Sequence, residues 1–201
     1  MASKTLKIAM AGPSGVGKTT LCQWASEHYG IPFITTSTKP LWEKHGIKSH
    51  QELIYKGMVN PQWGLDFQNE VLDYRPRVFA NNPTFITDRS PIDNLVYFLM
   101  QNTPYLGEEA TLSYATDCMR LLNHIDLIIQ IPFNHETVLV NDGARIVNKY
   151  YQLSVNSQYA VAGNILAELL PGKANVIVQT LSIWDFEQRK ALLKSYIEQF
   201  I

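Results

Sequence analysis

The sequence predicts an α/β domain in which a five-stranded parallel sheet carries helices on both faces. Short apolar runs of strand length alternate with longer helical stretches, a pattern that gives parallel strands joined by crossover helices. One run, Leu127-Ile128-Ile129-Gln130-Ile131, is apolar nearly throughout, as a strand covered on both faces should be. The third observation is Gly12-Pro13-Ser14-Gly15-Val16-Gly17-Lys18-Thr19, which fits G-x-x-x-x-G-K-[ST] between a strand-like run and a helical stretch. With 201 residues, 46% of them hydrophobic, the chain can bury one full core but not two comfortable ones. It has no repeat, low-complexity tract or linker, so residues 1–201 read as a single domain.

The first strand is Leu6 to Ala11, followed by the glycine loop and a helix that Gly30 ends. Ile31-Pro32-Phe33-Ile34-Thr35 is the second strand, and Thr36-Ser37-Thr38-Lys39-Pro40 a polar loop at its C-terminal end. Leu41 to Tyr55 is helical in pieces, broken at Gly46 and Gly57. Pro61 opens a longer helix that buries Leu65, Val71, Leu72 and Val78 and stops at Asn81-Asn82-Pro83. Thr84 to Thr87 is the third strand, and Asp88-Arg89-Ser90 closes it. Pro91 starts the helix to Gln101, and another helix runs from Glu108 to Asn123. After the fourth strand, Leu127 to Ile131, residues 134–149 are polar and read as a mobile lid. A helix from Leu153 to Leu170 closes at Pro171-Gly172. Asn175 to Gln179 is the fifth strand, and Ile183 to Phe200 the last helix.

The glycine loop carries the sharpest chemistry. Glycines let the backbone wrap a phosphate chain with its N–H groups inward, and the following helix adds its positive N-terminal end. Residues Gly12, Pro13, Ser14, Gly15, Val16, Gly17, Lys18, Thr19 and Thr20 are therefore expected to hold a nucleoside triphosphate. Lys18 reaches its β- and γ-phosphates, and the Thr19 hydroxyl holds Mg²⁺.

Asp88-Arg89-Ser90 ends a strand and so lies beside that loop, at the sheet edge where open α/β folds bind ligands. Asp88 can hold Mg²⁺ or take a proton from an attacking hydroxyl, and Arg89 can clamp a phosphate. Asp88 or Ser90 can equally be a plain helix cap. Asp93 and Tyr97, four residues apart, share one face of the next helix, either toward the site or toward solvent. Arg145, after Asp142-Gly143, is placed to neutralise a transferring phosphoryl group from the lid, with Lys149 as a second lid cation. The acceptor pocket is expected between the loop carrying Lys39 and the helix carrying Trp63, Asp66, Phe67 and Gln68. Aromatics there can stack a base and Gln68 can bond its edge, although Trp63 and Phe67 also have the spacing of ordinary core. Arg75 and Arg77 meet an acceptor phosphate or stay solvated.

Formal net charge is −1, so no global basic field points to nucleic acid or an anionic membrane. The two cysteines, Cys22 and Cys118, fall in separate helical stretches and read as core thiols in a reducing compartment. The five residues before the first strand are too short for a signal peptide, and no run is long enough to span a bilayer. A cytoplasmic location is expected.

In these residues the chain resembles the P-loop nucleoside and nucleoside-monophosphate kinases, near the thymidylate and deoxynucleoside kinases. The resemblance rests on the phosphate loop, Thr38-Lys39-Pro40, Asp88-Arg89-Ser90 and the lid, and implies a P-loop NTPase fold. In thymidylate kinases a Thr-Arg-Glu-Pro-like segment follows strand two. Here Lys39 precedes Pro40 and the carboxylate is missing, which leaves Asp88 as the leading base. The run Asp88 to Asp93 with Tyr97 and Asp142-Gly143-Ala144-Arg145 is also similar to a kinase family that includes nicotinamide riboside kinase domains, and to phage nucleotide kinases. The resemblance implies a possible homodimer.

The expected activity is transfer of the ATP γ-phosphoryl group to a nucleoside or nucleotide acceptor, with Lys18, Asp88, Arg89 and Arg145 as catalytic residues. Two alternatives stand beside it. One is a phage-type kinase of 5-hydroxymethyluracil within DNA, with DNA as the acceptor. The other is an ATP-binding switch or sensor. No base-recognition Asn-Lys-x-Asp and no strand ending in consecutive acidic residues is present to favour a GTPase switch or a processive ATPase.

Overall fold

A computed structural model of the chain describes residues 5–143, 145–169 and 176–201. Its sheet is all parallel, in the order β2-β1-β3-β4, with β1 (Lys7–Ala11), β2 (Phe85–Thr87), β3 (Leu127–Gln130) and β4 (Ile177–Thr180). Among the described residues the α-helices are α1 (Lys18–Tyr29), α2 (Lys39–Lys44), α3 (His50–Val59), α4 (Pro61–Ala80), α5 (Pro91–Gln101), α6 (Glu108–Leu122), α7 (Lys149–Leu169) and α8 (Phe186–Ile197). A 3₁₀ turn, Thr103–Tyr105, follows α5. No helix among the described residues is long and apolar enough to cross a membrane.

The sheet has four strands, not the five expected. The segment after Gly30 reaches β2 but forms only a single parallel bridge, Phe33 to Ile86. Ile34 N donates to Ile86 O at 2.9 Å, and Ile86 N donates to Pro32 O at 2.9 Å. Pro32 brings no N–H to a ladder, and the chain beyond Ile34 turns into the hydroxyl-rich loop, so pairing stops. The last strand begins at Ile177; Asn175 and the Pro171-Gly172 helix stop lie outside the described residues.

Alternation along the strands separates two cores. Ala9 and Ala11 of β1, Phe85 of β2 and Ile128 of β3 face α4, α5, α6 and α7. Ile8, Met10, Ile86, Leu127 and Ile129 face α1 and α8. Helices therefore cover both faces, and the near-continuous apolar character of β3 follows from that double burial. Cys22 and Cys118 are free and buried, one in each core.

A third cluster, Leu41, Ile47, Leu53, Phe67 and Val71, joins α2, α3 and α4 beyond the β2 edge. Gly46 ends α2 with a left-handed φ of 63°, as expected. Gly57, expected as a break, instead lies inside α3. A Cβ on Gly64 of α4 would stand 3.2 Å from Gly57 Cα and 2.5 Å from Asn102 Nδ2. The two glycines allow α3 and α4 to cross closely, a tertiary demand that outweighs glycine's poor helix propensity. α7 begins at Lys149, one turn before the expected Leu153, because Asn148 caps it by accepting from Tyr150 N and Tyr151 N.

Candidate active site

β1 ends at the centre of the sheet and releases the chain into the glycine loop, whose shape is set by glycine. Gly12 takes φ 146°, and a Cβ there would lie 2.2 Å from Ile131 O, so no side chain fits where the loop passes the end of β3. Gly17 is left-handed and caps α1, directing the first N–H groups of that helix into the loop. Residues Ser14, Gly15, Gly17, Lys18, Thr19 and Thr20 line a cavity of about 260 Å³ closed on its far side by Asp88, Arg89 and Arg145. Leu139, between β3 and α7, stands 3.0 Å from where a Gly15 Cβ would be.

Lys18 is 6% exposed and donates to Gly12 O at 2.5 Å and Pro13 O at 2.7 Å. Burial, and then the Arg89 charge, pull its pKa down to about 7, against the opposing pull of Asp93 and Asp88. Thr19 Oγ1 donates to Asp88 Oδ2 at 2.6 Å.

Asp93 is 1% exposed and organises the junction between loop and sheet. Its Oδ1 accepts from Gly12 N at 3.2 Å and Tyr159 Oη at 2.7 Å. Its Oδ2 accepts from Ser90 N at 2.7 Å and Ser90 Oγ at 2.6 Å, completing a capping box at the start of α5. Tyr159 Oη in turn accepts from Gly12 N at 2.9 Å, so α7 is tied to the first glycine of the loop. Arg89 Nη1 lies 3.9 Å from Asp93 Oδ1. Burial opposes the Arg89 charge, but Tyr97, Asp93, Asp88 and Tyr159 outweigh it and push its pKa further up.

A second cavity, about 470 Å³, opens beside the first between the 35–39 loop, α2, α3, α4 and α5. Lys39, Phe67, Gln68 and Asp93 line it, as do Arg75, Trp42, His50, Asn94, Tyr97 and Gln101. Trp63 is not part of the lining; it stacks on Phe67 with ring centroids 5.5 Å apart and contacts His45. Asp66 bonds Gln62 on the outer face, and Arg77 and Lys149 are exposed.

Gln68 is already engaged. Its Oε1 accepts from Tyr114 Oη at 3.2 Å, and its Nε2 donates to Gln101 Oε1 at 3.3 Å. Gln101 Nε2 donates to His50 Nε2 at 2.9 Å, which places the His50 proton on Nδ1. Burial, then Arg89, lowers the His50 pKa to about 4, so this ring is neutral at pH 7. Arg75 is 3% exposed, with Nη1 on Ser90 O at 2.7 Å and Nε unpaired. Asn94 is 3% exposed, and among the described residues neither end of its amide has a partner.

Sequence reasoning passed over His50, Asn94, Gln101 and Tyr159. Asn94 and Gln101 stand at i and i+7 of the helix after Asp88-Arg89, on the face that also carries Tyr97, so that face of α5 pointed to two of the four. Nothing local marks Tyr159, which arrives from α7.

The two cavities share Ser14, Thr19, Asp88, Arg89 and Arg145. Arg145 comes from the segment between β3 and α7, where Asp142 holds it with Arg145 Nη2 2.8 Å from Asp142 Oδ2. Three carboxylates line the larger cavity. Asp93 is committed to four donors and Asp142 pairs with Arg145, while Asp88 accepts from Thr19.

The sequence profile described as AAA domain matches residues 7–154, from β1 into the first turns of α7. The chain belongs to the AAA domain family. No curated protein matches it by sequence. Among solved structures it is similar to a NadR protein in complex with NR, at 16% identity and TM-score 0.64, over 98% of this chain and 51% of that one. It is similar also to deoxyadenosine kinase from M. mycoides with bound dCTP, at 16% identity and TM-score 0.59, over 96% of this chain and 100% of that one. A third is YorR protein from Bacillus subtilis in complex with phosphorylated GDP, at 15% identity and TM-score 0.50, over 96% and 94%. The chain thus spans about half the length of the NadR chain and essentially all of the deoxyadenosine kinase. At these identities the likeness is one of fold, and it joins this AAA-family chain to the P-loop kinase architecture.

Proposed function

We propose that this chain is an ATP-dependent kinase that moves the γ-phosphoryl group of ATP to a hydroxyl of a nucleoside-type acceptor. The observation that carries the reading is the shared wall of the two cavities. A triphosphate in the glycine loop and an acceptor in the larger cavity would meet between Thr19, Asp88, Arg89 and Arg145. The family and the deoxyadenosine kinase fold support it.

The loop N–H groups and Lys18 hold the β- and γ-phosphates, and Lys18 exchanges Gly12 O and Pro13 O for phosphate oxygens. No group of three or more His, Cys, Asp or Glu side chains among the described residues forms a metal site of its own. Magnesium with ATP needs fewer, because phosphate and water supply most ligands, and Thr19 Oγ1 with Asp88 fits that donor set. The ion, when bound, would supply charge neutralisation at the phosphates that Thr19 and Asp88 face. Asp88 accepts the proton of the attacking hydroxyl or a hydrogen bond from it. Arg89 and Arg145 stabilise charge that spreads over the transferring group, once Arg145 leaves Asp142.

The acceptor side suits an uncharged planar ring. Trp42, Phe67 and Tyr97 offer aromatic walls, His50 is neutral, and the unpaired Asn94 amide offers both a donor and an acceptor for a base edge. Gln68 acts behind this surface by fixing Gln101. Lys39 borders the cavity where an acceptor phosphate would be met, so nucleosides and their monophosphates both belong in the test.

The test is a panel of nucleosides, nucleoside monophosphates and hydroxymethyluracil-containing DNA incubated with γ-labelled ATP. Label is expected on a small nucleoside-type product and not in the K18A variant. Label on the polymer would replace this reading with a DNA-base kinase. Release of free phosphate alone, at a rate no acceptor changes, would replace it with a switch.

A further inference from the structure

Arg189, on α8, is 4% exposed and stands 173 residues from the phosphate loop in sequence, yet its Nη1 donates to Val16 O at 2.7 Å. Its Nε donates to Ile183 O, and its guanidinium lies 4.9 Å from the Trp184 ring centroid. Among the described residues no carboxylate pairs with it, and Nη2 has no partner. Burying an arginine without a counter-ion is costly, and a packing role alone would not require a cation at this position.

We propose that Arg189 is a positioning residue for the donor phosphates. A trans peptide directs its C=O and N–H to opposite sides. With Val16 O held by Arg189, the Gly17 N–H is turned away from α8, toward the cavity that Gly17 lines. Arg189 Nη1 also lies 3.5 Å from where a Gly17 Cβ would be, so its uncompensated charge stands directly behind that peptide. The guanidinium fork thus sets one anion-binding N–H and adds positive potential at the same point. The Ile183 and Trp184 contacts lock the fork to the loop after β4. Donor affinity is in this way tied to the register of α8. The inference rests on the reading that the glycine loop holds the donor's phosphates.

The test is titration of a fluorescent ATP analogue into wild type, R189K and R189M, each with a melting curve, and with the Gly17 amide followed by NMR. R189M, which loses the donor and the charge, is expected to bind about tenfold more weakly, the scale of one charged hydrogen bond. R189K keeps the charge but cannot span both carbonyls, and about threefold weaker binding is expected, with a smaller ATP-induced shift of the Gly17 amide. A folded R189M that binds like wild type, with only its melting temperature lowered, overturns the proposal and leaves a structural strut. If R189M does not fold, R189K decides: wild-type affinity with an unchanged Gly17 shift overturns it. Failure of wild type itself to bind ATP overturns the loop reading instead.

Discussion

Replacing Asp93 by asparagine probes the junction on which the loop rests. Four donors converge on this carboxylate: Gly12 N, Tyr159 Oη, Ser90 N and Ser90 Oγ. Asparagine keeps the volume but turns one oxygen into an NH₂ group. Whichever oxygen is lost, a backbone N–H then faces a donor and the hydroxyl beside it must turn to accept, so two bonds to a charged acceptor are lost. At about 1.5 kcal/mol or more for each hydrogen bond to a charged group, the loss is about 3 kcal/mol, before any weakening of the capping box. With a urea dependence of about 2 kcal/mol per M, the unfolding midpoint falls by about 1.5 M. D117N is the control, because Asp117 makes an exposed pair with Arg120, and such a pair contributes less than about 1 kcal/mol. D93N should also weaken ATP binding, since Gly12 N loses its anchor. A D93N midpoint as close to wild type as that of D117N would refute the claim that Asp93 supports the loop.

Three further outcomes follow from the geometry. Lys18 has a pKa near 7 in the free protein, and phosphate oxygens favour its charged form, so ATP binding takes up a proton above pH 7. The bound state then holds more protons, and affinity falls as pH rises from 7, by at most about tenfold per pH unit; calorimetry in buffers of different ionisation enthalpy measures the uptake. G64A should destabilise by about 1–2 kcal/mol despite its better helix propensity, because its Cβ meets Asn102 and Gly57. G163A, exposed and with nothing within 4 Å of its new Cβ, should stabilise by up to about 1 kcal/mol, and paired melting curves decide both. R145A should lower kcat by about a hundredfold or more while leaving the ATP dissociation constant within a few-fold.

The glycine-loop cavity was legible in the sequence because its geometry is local. Gly12, Gly17, Lys18 and Thr19 work through backbone angles and side-chain reach within eight residues of one another. Asp88-Arg89 was legible for a related reason, since the end of a strand beside β1 has one place to go. The acceptor half depends on contacts between distant elements. Gln68 was read as a base contact, but Tyr114 and Gln101, from α6 and α5, already engage both ends of its amide. Among the described residues, Asn94 is the cavity-lining amide left without a partner at either end. Gly57 read as a break because local propensity disfavours glycine in helices, while the crossing with Gly64 that rewards it is tertiary. The second strand contracted to a bridge because Pro32 and the turning loop end its pairing. Arg189 gave no sequence signal at all.

The central claim is that donor and acceptor cavities meet at Thr19, Asp88, Arg89 and Arg145 so that a phosphoryl group passes between them. Single-turnover quench experiments with γ-labelled ATP, with and without the acceptor found by screening, test it most directly. Acceptor is expected to raise ATP consumption by about a hundredfold or more, with one phosphorylated product per ADP. Equal ATP consumption with and without acceptor, yielding only free phosphate, would contradict it.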